Sequence, residues 1–115
     1  TDKELSDKFA NTLDMLHKKL SPYQKPVIFT EIGFRSVNHV WKQPHEEPKG
    51  RAFEMEAQAR CYRIVFENIQ GKDWVKGTFW WKWPSYMEYA NRRETGFAPT
   101  NRDAEKVVKE WFEKL

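Results

Sequence analysis

Leu5, Phe9, Leu13, Leu16 and Leu20 recur at steps of four, four, three and four. That period draws one apolar stripe along a helix spanning residues 2 to 21, with Asp2, Lys3, Asp7, Lys8, Lys18 and Lys19 on the other faces. Ser21-Pro22 stops it, because proline disfavours helical geometry in the residue before it. Residues 26 to 32, Pro-Val-Ile-Phe-Thr-Glu-Ile, predict a short strand. Its consecutive Val27, Ile28 and Phe29 suit burial on both faces, as in a parallel sheet covered by helices. Gly33 ends the run, and a long polar loop follows over residues 35 to 50.

A second helix is predicted over residues 51 to 69, with Phe53, Ala57, Cys61, Ile64, Val65 and Asn68 on its inner side and Gly71 as C-cap. Residues 74 to 83, rich in aromatics, form a second strand that Pro84 ends. The loop over 84 to 100 carries Tyr86, Tyr89 and Phe97. The last helix starts near Thr100, whose spacing to Asp103 resembles a capping box. Ala104, Val107, Val108, Trp111, Phe112 and Leu115 line its apolar face. Strands alternating with helices imply a parallel sheet with right-handed crossovers. Two parallel strands alone keep open edges and too little cover, so the pattern predicts part of a larger α/β architecture.

Composition narrows the function classes. The 115 residues have the length of one ordinary domain, and an aromatic share of 16% excludes intrinsic disorder. No run approaches ~18 apolar residues, so no membrane span is expected. Twenty Lys+Arg against 17 Asp+Glu leave a net charge of +3 with interleaved signs, which argues against a nucleic-acid partner. The single Cys61 excludes an internal disulfide, and its place on an apolar stripe reads as core. Thr1-Asp2-Lys3-Glu4 is no signal peptide, and without an initiator Met the chain is expected to be a piece of a longer one. There is no GxGxxG, GxxxxGK[ST] or HExxH, and His39, His45 and Glu46 share a loop without metal-ligand spacing. No cofactor or metal is expected.

Two features carry candidate chemistry. Glu31 sits at the carboxyl end of an apolar strand, where parallel α/β folds bind ligands. It is either used there or solvated, with Arg35 as an ordinary ion-pair partner. In Phe79-Trp80-Trp81-Lys82-Trp83, period-two alternation puts Trp81 and Trp83 on one face. They are either core or an aromatic platform for a sugar ring. Glu88 and Glu94, in the following loop, have no assigned role.

The run Lys25-Pro26-Val27-Ile28-Phe29-Thr30-Glu31-Ile32-Gly33-Phe34-Arg35-Ser36 resembles the seventh-strand signature of clan-A glycoside hydrolases, most closely the β-mannanase-like glycoside hydrolase family 113. Gly77-Thr78-Phe79-Trp80-Trp81-Lys82-Trp83 resembles the eighth strand of that family, and Gly96-Phe97-Ala98-Pro99 its closing segment. The resemblance implies that residues 1–115 are the C-terminal portion, helix 6 to helix 8, of one (β/α)8 barrel domain. It implies Glu31 as catalytic nucleophile and Trp81 or Trp83 as the floor of the sugar subsite; Trp81, Trp83 and Arg35 are the expected substrate-binding residues. Retaining chemistry of that kind needs a second carboxyl group about 5–5.5 Å away as acid/base. In the family that group ends strand 4, which this chain lacks. The expected activity is therefore that of a parent hydrolase of β-linked polysaccharide, β-mannan first, with this portion inactive alone. The expected partners are a polysaccharide or oligosaccharide and the remainder of the barrel, or a second copy. A non-catalytic carbohydrate-binding or interaction protein with a barrel-like site is the alternative.

Overall fold

The computed structural model describes residues 1–47, 49–85 and 95–114. Helix α1 spans Asp2–Leu20, strand β1 Val27–Ile32, helix α2 Met55–Ile69, strand β2 Val75–Trp80 and helix α3 Asp103–Glu113. The two strands run parallel and form an open two-stranded sheet. A capping box starts α1: the Thr1 hydroxyl accepts from the Glu4 amide while the Glu4 carboxylate reaches back to the Thr1 amine. The Leu13 side chain is buried at the centre of the α1 stripe. Asn68 of α2 donates to Ser6 Oγ at 2.8 Å, and His17 stacks on Trp74 at 4.7 Å, fixing both ends of α1.

The core lies where α2 and α3 pack on one face of the sheet. Ala59, Tyr62 and Phe66 of α2 meet Ala104, Val107 and Val108 of α3. Tyr62 stacks on Trp80 at 4.0 Å and Phe66 on Trp111 at 5.5 Å. Val37, Val40, Ala57 and Cys61 make a second cluster under the loop after β1. Gly71 has φ +74° just past α2, the left-handed turn its composition predicts.

Four expectations are corrected. Helix α2 begins at Met55, because residues 36–38 and 52–54 pair antiparallel: Glu54 N–H donates to Ser36 O at 2.9 Å and Asn38 N–H to Ala52 O at 3.0 Å. Phe53 therefore belongs to this ladder and not to the helix. Strand β2 ends at Trp80, so Trp81 and Trp83 do not share a strand face. Helix α3 starts at Asp103 with Arg102 as N-cap, and no Thr100 capping box forms. Burial of the sheet is one-sided: Ile28 is 51% and Phe79 65% exposed, because both helices that cover the sheet lie on the opposite face. Tyr86, Tyr89, Glu88 and Glu94 lie outside the described residues.

Among the described residues, the buried Tyr62 hydroxyl has no hydrogen-bond partner. Such a group retains its desolvation cost with nothing to offset it. Tyr62→Phe is expected to raise stability by about 1 kcal/mol, read as a higher urea midpoint; a lower midpoint would contradict it. Burial also pushes the Cys61 thiol up to about 12, against a smaller opposing effect of Arg60. The unfolded thiol ionises near about 8.5, so above that pH the unfolded chain sheds a proton that the folded chain keeps. Cys61's contribution is thus whole below about 8.5 and is lost as pH rises toward 12. Urea titrations at rising pH should show a shallower stability loss for Cys61→Ala than for the wild type.

Candidate functional site

The carboxyl ends of β1 and β2 lie side by side. Ile32 pairs with Trp80, and the Trp81 N–H donates to Ile32 O at 2.7 Å. Between Phe29 and Ile32 the register slips: three steps along β1 match two steps from Thr78 to Trp80. This bulge changes which way Glu31 faces. Strict alternation would put Glu31 with Val27 and Phe29, toward the helices. Instead Thr30 and Glu31 are both exposed and Ile32 turns inward, so Glu31 joins Ile28 on the uncovered face. Gly33 follows because the backbones touch: a Cβ there would run into the Trp81 carbonyl oxygen and lie 2.8 Å from its carbon. The Trp81–Lys82 peptide is cis.

Arg35 does not pair with Glu31. Its guanidinium bonds Glu47 at 3.0 Å and lies over the Phe97 ring at 4.5 Å. Among the described residues, Glu31 has no hydrogen bond or ion pair. Arg35, Trp81, Pro84 and Phe97 help line a cavity of about 320 Å³ beside the strand ends. Trp81 is 47% exposed. Trp83, 43% exposed, instead borders a groove along α3 with Val108 and Phe112. The structure thus brings Arg35 and Trp81 together and sets Trp83 apart from them. Glu31, exposed near the end of β1, does not line the cavity, which offers an indole and a cation-capped aromatic wall. Those are the components that contact a sugar ring: apolar faces for its C–H surface and polar groups for its hydroxyls. Among the described residues, no three His, Cys, Asp or Glu side chains are grouped to hold a metal ion, and no helix is long and apolar enough to cross a membrane.

Below this surface lies a buried polar cluster that the sequence pattern does not announce. Gln58, with no exposed surface, donates to Phe34 O at 2.9 Å and Phe97 O at 3.0 Å, and accepts from Ser36 Oγ at 2.8 Å. Arg102, 5% exposed, donates to Ser36 Oγ at 2.7 Å, Ala98 O at 2.8 Å and Gly96 O at 3.1 Å. One signal does exist: Gln58 precedes Cys61 by three residues and Val65 by seven, which sets a polar residue inside the apolar stripe of α2.

A search of curated proteins finds no match. Three solved structures share the fold. A GH113 β-1,4-mannanase superposes with a TM-score of 0.84 at 24% identity, over 96% of this chain and 36% of that one. A GH113 β-1,4-mannanase complex gives 0.81 at 24% identity, over 91% and 35%. The GH113 β-mannanase AaManA from Alicyclobacillus acidocaldarius, in complex with ManMIm, gives 0.81 at 23% identity, over 96% and 36%. The chain therefore spans little more than a third of the length of these structures, and its two parallel strands and three helices are an open part of a (β/α)8 barrel. The model of Glycoside Hydrolase Family 113 matches residues 3–103, across both strands and both strand-end loops, and the chain belongs to that family.

Proposed function

We propose that residues 1–115 form the C-terminal portion of a single barrel domain of a retaining glycoside hydrolase acting on β-1,4-linked mannan. The observation that carries this reading is the β1 bulge, which turns Glu31 to the uncovered face at the strand end next to Trp81. The substrate class is taken from the likeness to β-1,4-mannanases. Glu31 is the nucleophile: its carboxylate attacks the anomeric carbon, the glycosidic bond breaks, and water later releases the sugar from the ester. A second carboxylic acid, about 5–5.5 Å away, protonates the leaving oxygen and then deprotonates that water. This group comes from the remainder of the barrel. Trp81 forms the apolar floor of the sugar site and Arg35 one polar wall. Trp83, against the groove along α3, takes no part in this surface.

The remainder of the barrel is also the partner that the sheet requires. It covers Ile28 and Phe79, which the α2 and α3 side leaves exposed. As an isolated piece the chain binds sugar weakly at most and does not turn it over, because Glu31 alone cannot protonate the leaving group.

The test is Glu31→Ala in the barrel enzyme that carries this segment. Mannan hydrolysis is expected to fall at least about a thousandfold, with azide restoring turnover of an activated aryl mannoside as the mannosyl azide. Near wild-type activity would overturn the assignment. Oligosaccharide binding by the unmutated enzyme with no turnover at all would favour the non-catalytic carbohydrate-binding alternative.

A further inference from the structure

The sugar-facing wall is made of two loops that lie far apart in the sequence. Arg35 comes from the loop after β1 and Phe97 from the segment before α3, yet the guanidinium sits 4.5 Å from the ring centre. Gln58 reaches both loops from below. Its amide donates to the carbonyl of Phe34, the residue before Arg35, and to the carbonyl of Phe97 itself. Ser36, the residue after Arg35, closes the triangle through its hydroxyl, and its N–H donates to Gly96 O at 3.1 Å. Each loop is thus held within one residue of the side chain that it presents.

We propose that Gln58 is a positioning residue for substrate binding, fixing the Arg35–Phe97 wall against Trp81 through the Phe34 and Phe97 carbonyls. This rests on the reading of that wall as part of a sugar site. The side chain touches no substrate and acts only through the two loops. A primary amide suits this role, because its two N–H donors diverge to two carbonyls while the oxygen accepts from a hydroxyl, so three of its hydrogen-bonding positions are used. Arg102 supports the same loops from the other side, through the Ser36 hydroxyl and the Gly96 and Ala98 carbonyls. Wall geometry set this way affects how substrate is held, whereas the bond-making group, Glu31, sits on β1 outside the cluster.

The experiment compares Gln58→Met, which preserves length and apolar volume but removes all three bonds, with Ser36→Ala, which leaves both carbonyl bonds in place. Both are made in the barrel enzyme carrying this segment, with Gln58→Glu as the shape-preserving substitute should Gln58→Met not fold. The first readout needs no substrate. In ¹⁵N-arginine spectra the Arg35 side-chain resonance is shifted by the Phe97 ring current and is identified by its loss of shift in Phe97→Leu. It should move toward the Phe97→Leu position in Gln58→Met and stay in place in Ser36→Ala. An unmoved resonance in the Gln58 variants overturns the proposal. The second readout is steady-state hydrolysis of mannooligosaccharide. Gln58→Met should raise KM roughly fivefold to tenfold with kcat per folded enzyme nearly unchanged. A fall in apparent kcat that tracks the folded fraction, at constant KM, marks a purely structural role and also overturns it. If the unmutated enzyme hydrolyses no mannan, the functional reading fails, while the arginine spectrum still decides whether Gln58 sets the wall.

Discussion

The buried triangle of Gln58, Ser36 and Arg102 is the constraint on which the upper half of the molecule depends. All three side chains are almost wholly removed from water, and they bond to one another and to loop carbonyls. Removing one partner leaves buried donors or carbonyls unmatched, at about 1–3 kcal/mol for each orphaned group. The loops after parallel strands are ordinarily the mobile part of an α/β fold. Here helix α2 supplies the anchor for both of them. The two loops are joined through Gln58, through the Ser36 N–H bond to Gly96 O and through Arg102, with the Arg35 guanidinium over the Phe97 ring.

The strand ends are set by a different device. The slip between Phe29 and Ile32 costs one ladder position but reverses the facing of a single carboxylate. Without it, Glu31 would point toward the apolar layer formed by α2 and α3, where an unpaired charge is heavily disfavoured. Gly33 then lets the chain pass against the Trp81 carbonyl, so the two strands finish together. The bulge orients the side chain, the glycine sets the closeness of the backbones, and the Gln58 cluster holds what lies beyond.

These devices differ in how far the sequence reveals them. The α1 stripe through Leu13, the burial of Cys61 and the left-handed turn at Gly71 follow from local periodicity and turn chemistry, and all three are found. The resemblance carried by the run around Glu31 likewise leads to the right fold family. The bulge does not show in the sequence, because Thr30-Glu31-Ile32 is compatible with either facing and only pairing with β2 decides between them. The end of β2 is hidden for a similar reason: Trp81-Lys82-Trp83 has strand-like composition, but β1 has no further partner residues to pair with it. Helix α2 starts later than its periodicity predicts, since nothing in Arg51-Ala52-Phe53-Glu54 reveals that Ser36 and Asn38 take its backbone hydrogen bonds. Thr100 has the spacing of a cap, yet Arg102 is drawn inward by Ser36 and the helix begins after it.

The apolar content of the strands can now be interpreted. Val27, Ile28 and Phe29 read as a strand buried on both faces, yet helices cover only one, and Ile28 and Phe79 remain open to solvent. Glu31 lies on that same open face. A barrel that closes over Ile28 and Phe79 therefore also withdraws water from around the carboxylate. In this chain the Glu31 side chain is open to solvent. In such an enclosure the carboxylate has few competing water molecules, and its electrostatic interactions are strengthened by the lower local dielectric. Burying the sheet and enclosing the carboxylate are one physical event, because the bulge places the charge on the side of the sheet that α2 and α3 leave open.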